Sequence, residues 1–371
     1  MKSSFMMKTF LIRTVTAAMG KRKRKTLPKD FAQLLEHASF AELVAVFDEC
    51  ELEATGGYSK STALGFYNCP DELARWLVEQ GADINARDTY QRTPLHHRSS
   101  SWIGGVDLLL DLGADIEAQD YQGYTPLHAA ANSHKAEAIA ALIRRGASVD
   151  ARSRQGQGVL HIALATTRNA DIEATAKIAQ TLLAAGLQPD DGMLAEVQRI
   201  GREFEFHRAS FNPDYLEATD AALASLYRLF DVTPVASRKV HDGQAAIVVT
   251  ANGWPDQHQQ LWELLVPSSG AAATMQGEVI RISGRISREI HHNGSANWDA
   301  DFKAMLAALV DHVGSAVSLP AAELAETRAL AVALRNGNDD AEHTDRLCEL
   351  AVRWVIANPQ PVPLAMPSYS R

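Results

Sequence analysis

A short sequence string returns at a nearly constant interval through the first half of the chain. Thr-Pro-Leu-His stands at 93–96 and again at 125–128, and a partial copy, Gln-Gly-Val-Leu-His, stands at 157–161. The threonine position recurs in steps of 31, 32 and 33 residues, at Thr62, Thr93, Thr125 and Gly158. A repeat of this length predicts one supersecondary unit per period. Because one such unit cannot bury its apolar face alone, neighbouring units are expected to stack.

The residues at the repeated positions each have a local structural reason. Proline after threonine suits the first turn of a helix, where its missing N–H costs nothing. Leu95 and Leu127 then begin a buried face, and further leucines at helical spacing mark a second helix in each unit. Glycine ends that second helix because it adopts the left-handed conformation at little cost; these glycines are Gly81, Gly113 and Gly146. Each period therefore predicts a helix-turn-helix unit closed by a short turn.

Residues from about 27 to 190 resemble ankyrin repeats, through Thr-Pro-Leu-His at 93–96 and 125–128 and Gly-Ala-Asp-Ile-Asn at 81–85. The resemblance implies an all-α fold, a solenoid of helix-turn-helix repeats with short hairpin loops, and protein binding as its function. It also implies that the histidines of the boxes are structural and hydrogen-bond neighbouring backbone. These histidines are His96, His128 and His161.

Period and composition divide the chain into three parts. Residues 1–26 contain eight Lys or Arg and no acid, which predicts a basic, disordered leader; a targeting signal and a mis-assigned start are the alternatives. Residues 27–236 are predicted to form the ankyrin domain, with an amino-terminal capping repeat, about four repeats and a degenerate carboxyl-terminal cap. Residues 237–371 are predicted to form a mostly helical domain with an extended, Pro-rich end. Its clearest expected elements are helices at 275–292, 299–312, 320–335 and 340–357 and a short strand at 245–250.

Two repeats depart from the pattern. In the second repeat, Arg98 stands where the pattern has a small residue and Gln91 where it has glycine, which puts the geometry of its first helix in question. In the fourth repeat, the second helix is displaced by seven residues, which places an insertion at 166–171. Insertions in such repeats form loops on one face, often the binding face.

The balance of charge differs between the leader and the rest of the chain. The formal net charge is −9, and without residues 1–26 the chain has 28 basic against 45 acidic residues. An acidic body argues against nucleic acid and favours a basic protein as partner, although acidic surfaces also simply aid solubility. The apolar stretch at 10–19 is shorter than the roughly 20 residues of a membrane span. Three widely spaced cysteines predict small apolar side chains in a reducing cytoplasm.

No familiar enzyme motif occurs in the sequence, so the protein is predicted not to be an enzyme and to use no cofactor or metal. Asp299 and Asp301 could be a catalytic pair, but their place near a helix start favours a role in complementing the helix dipole. Four basic side chains fall on one helical face and could bind an anion, although a solvated face is the stronger interpretation. They are Arg281, Arg285, Arg288 and His292.

The candidate binding surface lies at the turn tips and the exposed side of the first helices, which the resemblance implies as the partner-binding face. Tyr, Trp and Arg dominate binding energy at protein interfaces. Tyrosines at successive tips are unusual, because polar turn tips usually hold Asp, Asn, Lys or Gly; the alternative is that these rings pack on one another for stability. The predicted partner-binding residues are Tyr58, Tyr90, Arg92, Trp102, Tyr121, Tyr124, Arg154 and Gln157.

The sequence therefore predicts a cytoplasmic protein-binding module that is monomeric when free. The sharper hypothesis is a bacterial immunity protein, because stand-alone bacterial ankyrin proteins with an acidic body and an extra domain resemble the neutralising partners of antibacterial toxins. One alternative is a host-directed effector or scaffold, for which the basic leader would be functional. The other is an enzyme that is active within 240–360 and is targeted by its repeats.

Overall fold

The structure, a computed structural model, describes residues 22–103, 105–337 and 340–369. The chain forms two compact units, Met1–Met193 and Leu194–Arg371. Short helices and tight turns make up most of the first unit, and the second consists mainly of longer helices. Within the described ranges, no helix is both long enough and apolar enough to span a bilayer.

The first unit contains the helix pairs that the period predicts. Its strands are β1 (Arg24–Thr26), β2 (Cys50–Gly56) and β3 (Ser61–Thr62). Its helices are α1 (Phe31–His37), α2 (Phe40–Glu49), α3 (Asp71–Glu79), α4 (Pro94–Ser99), α5 (Asp107–Asp111), α6 (Pro126–Asn132), α7 (Ala136–Arg144), α8 (Val159–Thr166) and α9 (Ile172–Ala184). In the first full repeat, the first helix is reduced to the 3₁₀ turn Ala63–Gly65.

A small sheet at the amino-terminal end includes the last residues of the predicted leader. β2 lies between β1, to which it is parallel, and β3, to which it is antiparallel. The leader predicted over 1–26 therefore ends earlier, because Arg24–Thr26 are held by pairing with β2. Residues 1–21 lie outside the described ranges. Cys50 and Ala54, on the buried side of β2, are completely inaccessible to solvent, which anchors the sheet to the first helices.

The two irregular repeats keep the helix-turn-helix arrangement. Arg98 is 3% exposed and reaches back to the preceding repeat, where its guanidinium donates to the Cys69 carbonyl at 2.8 Å and pairs with Asp71 at 3.1 Å. The predicted insertion at 166–171 is confirmed, since α8 ends at Thr166 and a 3₁₀ turn precedes α9. Both departures are thus accommodated at the ends of helices, where the stacked faces are not interrupted.

Successive helices of the first unit stack their apolar faces. α4 packs on α6, α6 on α8, and α7 on α9, so the first helices form one layer and the second helices another. Burying one such leucine contributes about 2 kcal/mol, which explains why the units depend on their neighbours. The large, fully buried side chains of this core include Leu73, Leu77, Leu95, Leu109, Leu127, Ile139, Leu142 and Leu160.

The second unit begins within α10 (Asp191–His207). Its further helices are α11 (Pro213–Leu229), α12 (Trp254–Leu265), α13 (Met275–Asn293), α14 (Ala300–Val313), α15 (Ala321–Arg335) and α16 (Ala341–Ala357). The last four agree with the predicted helices to within a residue at each end. The strand predicted at 245–250 is wrong: this stretch belongs to no sheet, and the Ile247 N–H donates instead to the Pro359 carbonyl at 2.7 Å.

The division between the units lies after Met193, whereas the sequence placed a domain boundary after 236. The carboxyl end of α10 explains the difference. Phe206 stacks on Trp262 of α12 with ring centroids 6.2 Å apart, and the Arg238 guanidinium lies 4.2 Å from the Phe206 ring centroid. These contacts join α10 to the carboxyl-terminal helices, and no local period in the sequence encodes them.

α13 is the central helix of the second unit, with α12, α14 and α16 packed against it. Its predicted apolar face is confirmed, because Val279, Ile282 and Ile286 are completely buried. The predicted solvated basic face is wrong at Arg281, which is 1% exposed. The extended segment that follows α16 crosses the start of α13, where the Met275 N–H donates to the Val362 carbonyl at 2.8 Å.

Arg281 belongs to a buried polar cluster that this crossing segment completes. Its guanidinium donates to both oxygens of Glu278, at 2.6 and 2.8 Å, and the Tyr369 hydroxyl donates to Glu278 Oε1 at 2.7 Å. Burial alone would raise the pKa of the Glu278 carboxyl, but Arg281, the Ala272 N–H and Tyr369 outweigh it and lower the pKa. Buried charges persist only when they are paired and hydrogen-bonded in this way.

Replacing Tyr369 by Phe should destabilise the second unit. The change removes a hydrogen bond to a buried carboxylate, which costs about 2 kcal/mol. Urea unfolding followed by circular dichroism measures the loss. Tyr215→Phe is the control, because Tyr215 is 60% exposed and its change should leave the unfolding midpoint in place. Equal midpoints for both variants would show that the cluster does not depend on the crossing segment.

Candidate functional site

The turns between successive repeats form four tips, whose residues are 57–61, 87–92, 119–124 and 152–157. A buried side chain holds each of the last three. Asp88 Oδ1 accepts the N–H groups two and four residues later, at 2.8 and 2.9 Å, and Asp120 Oδ1 does the same at the same distances. Ser153 Oγ takes this place in the last tip, at 3.3 and 3.2 Å. Each tip is therefore a rigid turn rather than a loose loop.

Backbone hydrogen bonds also connect each tip to the one before it. The N–H groups of Thr89, Tyr121 and Arg154 donate to carbonyls of the preceding tip at 2.9, 3.1 and 2.8 Å. The third tip turns through Gly123 at φ +78°, and the second tip uses Gln91 at φ +61° for the same purpose. The four tips thus form one continuous row in fixed register.

The histidines of the Thr-Pro-Leu-His boxes attach each first helix to the following tip. His96 Nδ1 accepts the Thr93 N–H at 3.2 Å and lies 2.9 Å from the Thr93 hydroxyl, while its Nε2 lies 2.8 Å from the Tyr124 carbonyl. Because a carbonyl oxygen only accepts, Nε2 carries the proton and donates. His128 repeats this arrangement, with its Nε2 3.4 Å from the Gln157 carbonyl.

These contacts confirm the structural role of the two box histidines. Burial lowers the pKa of His96 and of His128, which keeps both imidazoles neutral with one proton on Nε2. In the fourth repeat, α8 begins after Gly158, which has no hydroxyl, and the capping box of the other two repeats does not form around His161. The partial copy of the motif at 157–161 therefore corresponds to the loss of the capping box in the fourth repeat.

Tyrosines follow the first three tips in a continuous chain of contacts. Tyr58 is 91% exposed, and the proximity of its side chain raises the pKa of Tyr90. The rings of Tyr90 and Tyr121 lie 6.0 Å apart, and the Arg92 guanidinium lies 4.9 Å from the Tyr90 ring centroid. The rings do contact one another, as the alternative expected, yet Tyr121 is still 48% exposed.

Tyr124 extends this surface to the fourth tip. Its ring stacks on His128 at 5.4 Å, and its hydroxyl donates to Gln157 Oε1 at 3.4 Å. A surface cavity of about 220 Å³ lies beside it, lined by Tyr121, Gln122, Tyr124, Ser153, Arg154 and Gln155. We call the predicted binding residues that the tips bring together the tip row; they are Tyr58, Tyr90, Arg92, Tyr121, Tyr124, Arg154 and Gln157.

Trp102 is not part of the tip row. It follows the carboxyl end of α4, whereas Arg92 precedes the amino end, and a helix of this length separates the two by about 9 Å. Trp102 is 87% exposed, and Lys135 Nζ lies 2.8 Å from its ring centroid. The predicted set therefore separates into the tip row and Trp102, which lies beside Lys135 at the other end of the helix.

Sequence reasoning missed three cations at the tips. Lys60, Arg87 and Arg152 are exposed, and each lies in a tip segment beside a predicted binding residue. Arg87 and Arg152 each stand one residue before the side chain that holds the turn, so aligning the tips on Asp88, Asp120 and Ser153 would have found these two. These tip cations are identified by their position in the repeat rather than by their residue type.

Two other candidate groups have structural explanations. Asp299 caps α14, where its Oδ1 accepts the N–H groups of Asp301 and Phe302 at 3.1 Å each, which confirms the helix-start interpretation. Burial raises the pKa of the Cys69 and Cys348 thiols to about 12, so neither is a ready nucleophile. Across the residues that the structure describes, no three His, Cys, Asp or Glu side chains are grouped as metal ligands would be.

Comparison with known families agrees with this geometry. Residues 100–191 match the family model for ankyrin repeats (3 copies), and residues 65–97 match that for ankyrin repeats (many copies). No curated protein matches the chain. The stacked helix pairs, the bridging histidines and these matches together define an ankyrin-repeat protein: an ankyrin solenoid and a helical domain in one chain.

Replacing Gly123 by Ala should destabilise the solenoid more than the same change at Gly156. Both residues have positive φ, near +78°, so either substitution costs about 1–2 kcal/mol in backbone strain. At Gly123 the added methyl group would also lie 2.8 Å from the Arg154 backbone nitrogen, whereas Gly156 has open space around it. We expect a total loss of about 3 kcal/mol for Gly123→Ala in urea unfolding. Equal losses would mean that the third and fourth tips are not in close contact.

Proposed function

We propose that this protein binds another protein through the tip row. The observation that carries the proposal is the continuous row of tyrosines, with Tyr58 and Tyr121 open to solvent on tips that backbone hydrogen bonds hold in register. Rigid aromatic groups lose little conformational freedom on binding, which favours affinity. Ankyrin repeats indicate protein–protein interaction, and the exposed rings supply anchors of the type that such interfaces use.

The finer hypothesis is that the partner is a bacterial toxin and the protein its immunity protein in the cytoplasm. Its support is the acidic body, with 28 basic against 45 acidic residues after the leader, which would attract a basic polypeptide by electrostatic steering. The three buried, free cysteines agree with a reducing compartment. A toxin-like polypeptide of high isoelectric point in the purified complex would support this hypothesis, and an acidic polypeptide would contradict it.

Two other functions remain as alternative proposals. A host-directed effector or scaffold would need a functional basic leader, which fusing residues 1–26 to a reporter protein tests directly. An enzyme with its activity in the carboxyl-terminal domain would lose that activity on changing Asp299 or Asp301 while partner binding persists. Asp299 caps α14. This structural role explains the residue without catalysis, so it supports neither alternative.

Purification of the full chain from its native cells, followed by mass spectrometry, tests protein binding. We expect a polypeptide at stoichiometric amount with the parent chain and little or none with the double variant Tyr90→Ala/Tyr121→Ala. Loss of two aromatic anchors should weaken binding by about 3 kcal/mol, or roughly a hundredfold. Tyr67→Ala is the control, because Tyr67 is 52% exposed but lies outside the tips.

Two outcomes would contradict the proposal. Equal recovery of the partner with the double variant and the Tyr67 control would place the binding surface elsewhere. Recovery of no polypeptide at all would contradict a stable complex and would move attention to the helical domain as an independent activity. Circular dichroism of each variant verifies that the repeats remain folded.

A further inference from the structure

The tips have a charge opposite to that of the whole protein. The four tip segments contain two acids, Asp88 and Asp120, while the chain as a whole has 45 acids and a net charge of −9. Against these two acids stand five cations, namely Lys60, Arg87, Arg92, Arg152 and Arg154. A local excess of positive charge on an acidic protein marks one surface as different from the rest.

The two tip acids contribute little to the surface that a partner would meet. The Asp88 side chain is 1% exposed and is paired with Arg92, and Asp120 is 6% exposed with its Oδ1 turned to the backbone. In the fourth tip, Ser153 makes the same turn contacts with no charge. The solvent-facing charge of the tips is therefore positive, and it is least balanced at the fourth tip.

Two cations, one in the second tip and one in the fourth, have neutral partners in the described part of the chain. Arg87 donates to the Gln91 and Gln119 carbonyls at 2.9 and 2.6 Å, and Arg152 donates to the Gly156 carbonyl at 3.1 Å. Carbonyl groups orient a guanidinium without neutralising it. These side chains are thus held in place with their charge intact.

The cavity beside the fourth tip combines this charge with aromatic walls. Tyr121 and Tyr124 line it together with Arg154, and no carboxylate lines it. The stem of Arg154 lies over Gly123, where any side chain would collide with it. At about 220 Å³ the cavity can admit one side chain of a partner, and a guanidinium pairs best with a carboxylate, through two parallel hydrogen bonds.

We infer that the tip row binds an acidic segment of the partner protein, with a Glu or Asp side chain of that segment in the cavity between Tyr121, Tyr124 and Arg154. The inference rests on the proposed function and specifies the chemistry of its ligand. It concerns the segment that contacts the tips, whatever the net charge of the remainder of the partner. Nucleic acid also carries anions, but ankyrin repeats indicate a protein partner, so binding of nucleic acid is an outcome that the test below distinguishes.

Fluorescence anisotropy with labelled poly-L-glutamate tests the inference on the full chain. We expect saturable binding to the parent and at least a tenfold loss of affinity for Arg152→Gln/Arg154→Gln. The matched control is Arg75→Gln/Arg144→Gln, which removes the same charge from exposed positions on α3 and α7. The control should change affinity less than twofold, because these arginines are remote in the repeat from the tips.

Three outcomes would overturn the inference. Equal losses of affinity for the two double variants would show general charge attraction. Binding of poly-L-lysine but not of poly-L-glutamate would mean that the ligand is basic. Tighter binding of a 20-residue oligothymidylate would indicate a nucleic-acid ligand. Recovery of the cellular partner with each double variant distinguishes a failure of this inference from a failure of the proposed function. If the partner is lost with Tyr90→Ala/Tyr121→Ala but kept with Arg152→Gln/Arg154→Gln, protein binding stands and its acidic specificity does not.

Discussion

The hydrogen bonds from His96 and His128 to a carbonyl of the next tip hold successive repeats together. His96 holds the Thr93 turn through Nδ1 and the Tyr124 carbonyl through Nε2, so one side chain fixes both a helix start and the neighbouring repeat. This requires a neutral imidazole, which burial maintains by lowering its pKa. The histidines attach the third and fourth tips, and backbone hydrogen bonds between successive tips keep all four in register. The tyrosines form a continuous surface because this register is fixed.

Much of the fold follows from local pattern. The period, the leucines at helical spacing and the Thr-Pro starts predicted the helix pairs of the first unit, since each depends on residues close together in the chain. The apolar face of α13 was predicted for the same reason. In contrast, β1 pairs with a strand that begins at Cys50, and Arg281 is buried because the segment around Tyr369 covers it. Such pairings between distant residues leave no periodic trace.

The sequence predicted the tyrosines of the candidate site and their positions on the tips, but not the charge of the surface that they form. Tyr90 and Tyr121 were placed correctly on successive tips, because the register of the repeats gives the position of every turn. Trp102 was predicted near the end of a first helix, and it does follow the carboxyl end of α4, apart from the tips. The positive charge of the tips was missed because the net charge of the chain conceals a local excess.

Site-specific photo-cross-linking in native cells tests most directly whether the tips form the binding surface. A photoreactive phenylalanine analogue in place of Tyr121, which is 48% exposed, should give one discrete covalent adduct with the partner. The same substitution of Tyr67, which is 52% exposed outside the tips, should give none. An adduct from Tyr67 with none from Tyr121 would contradict the account and move the binding surface to the opposite ends of the helices.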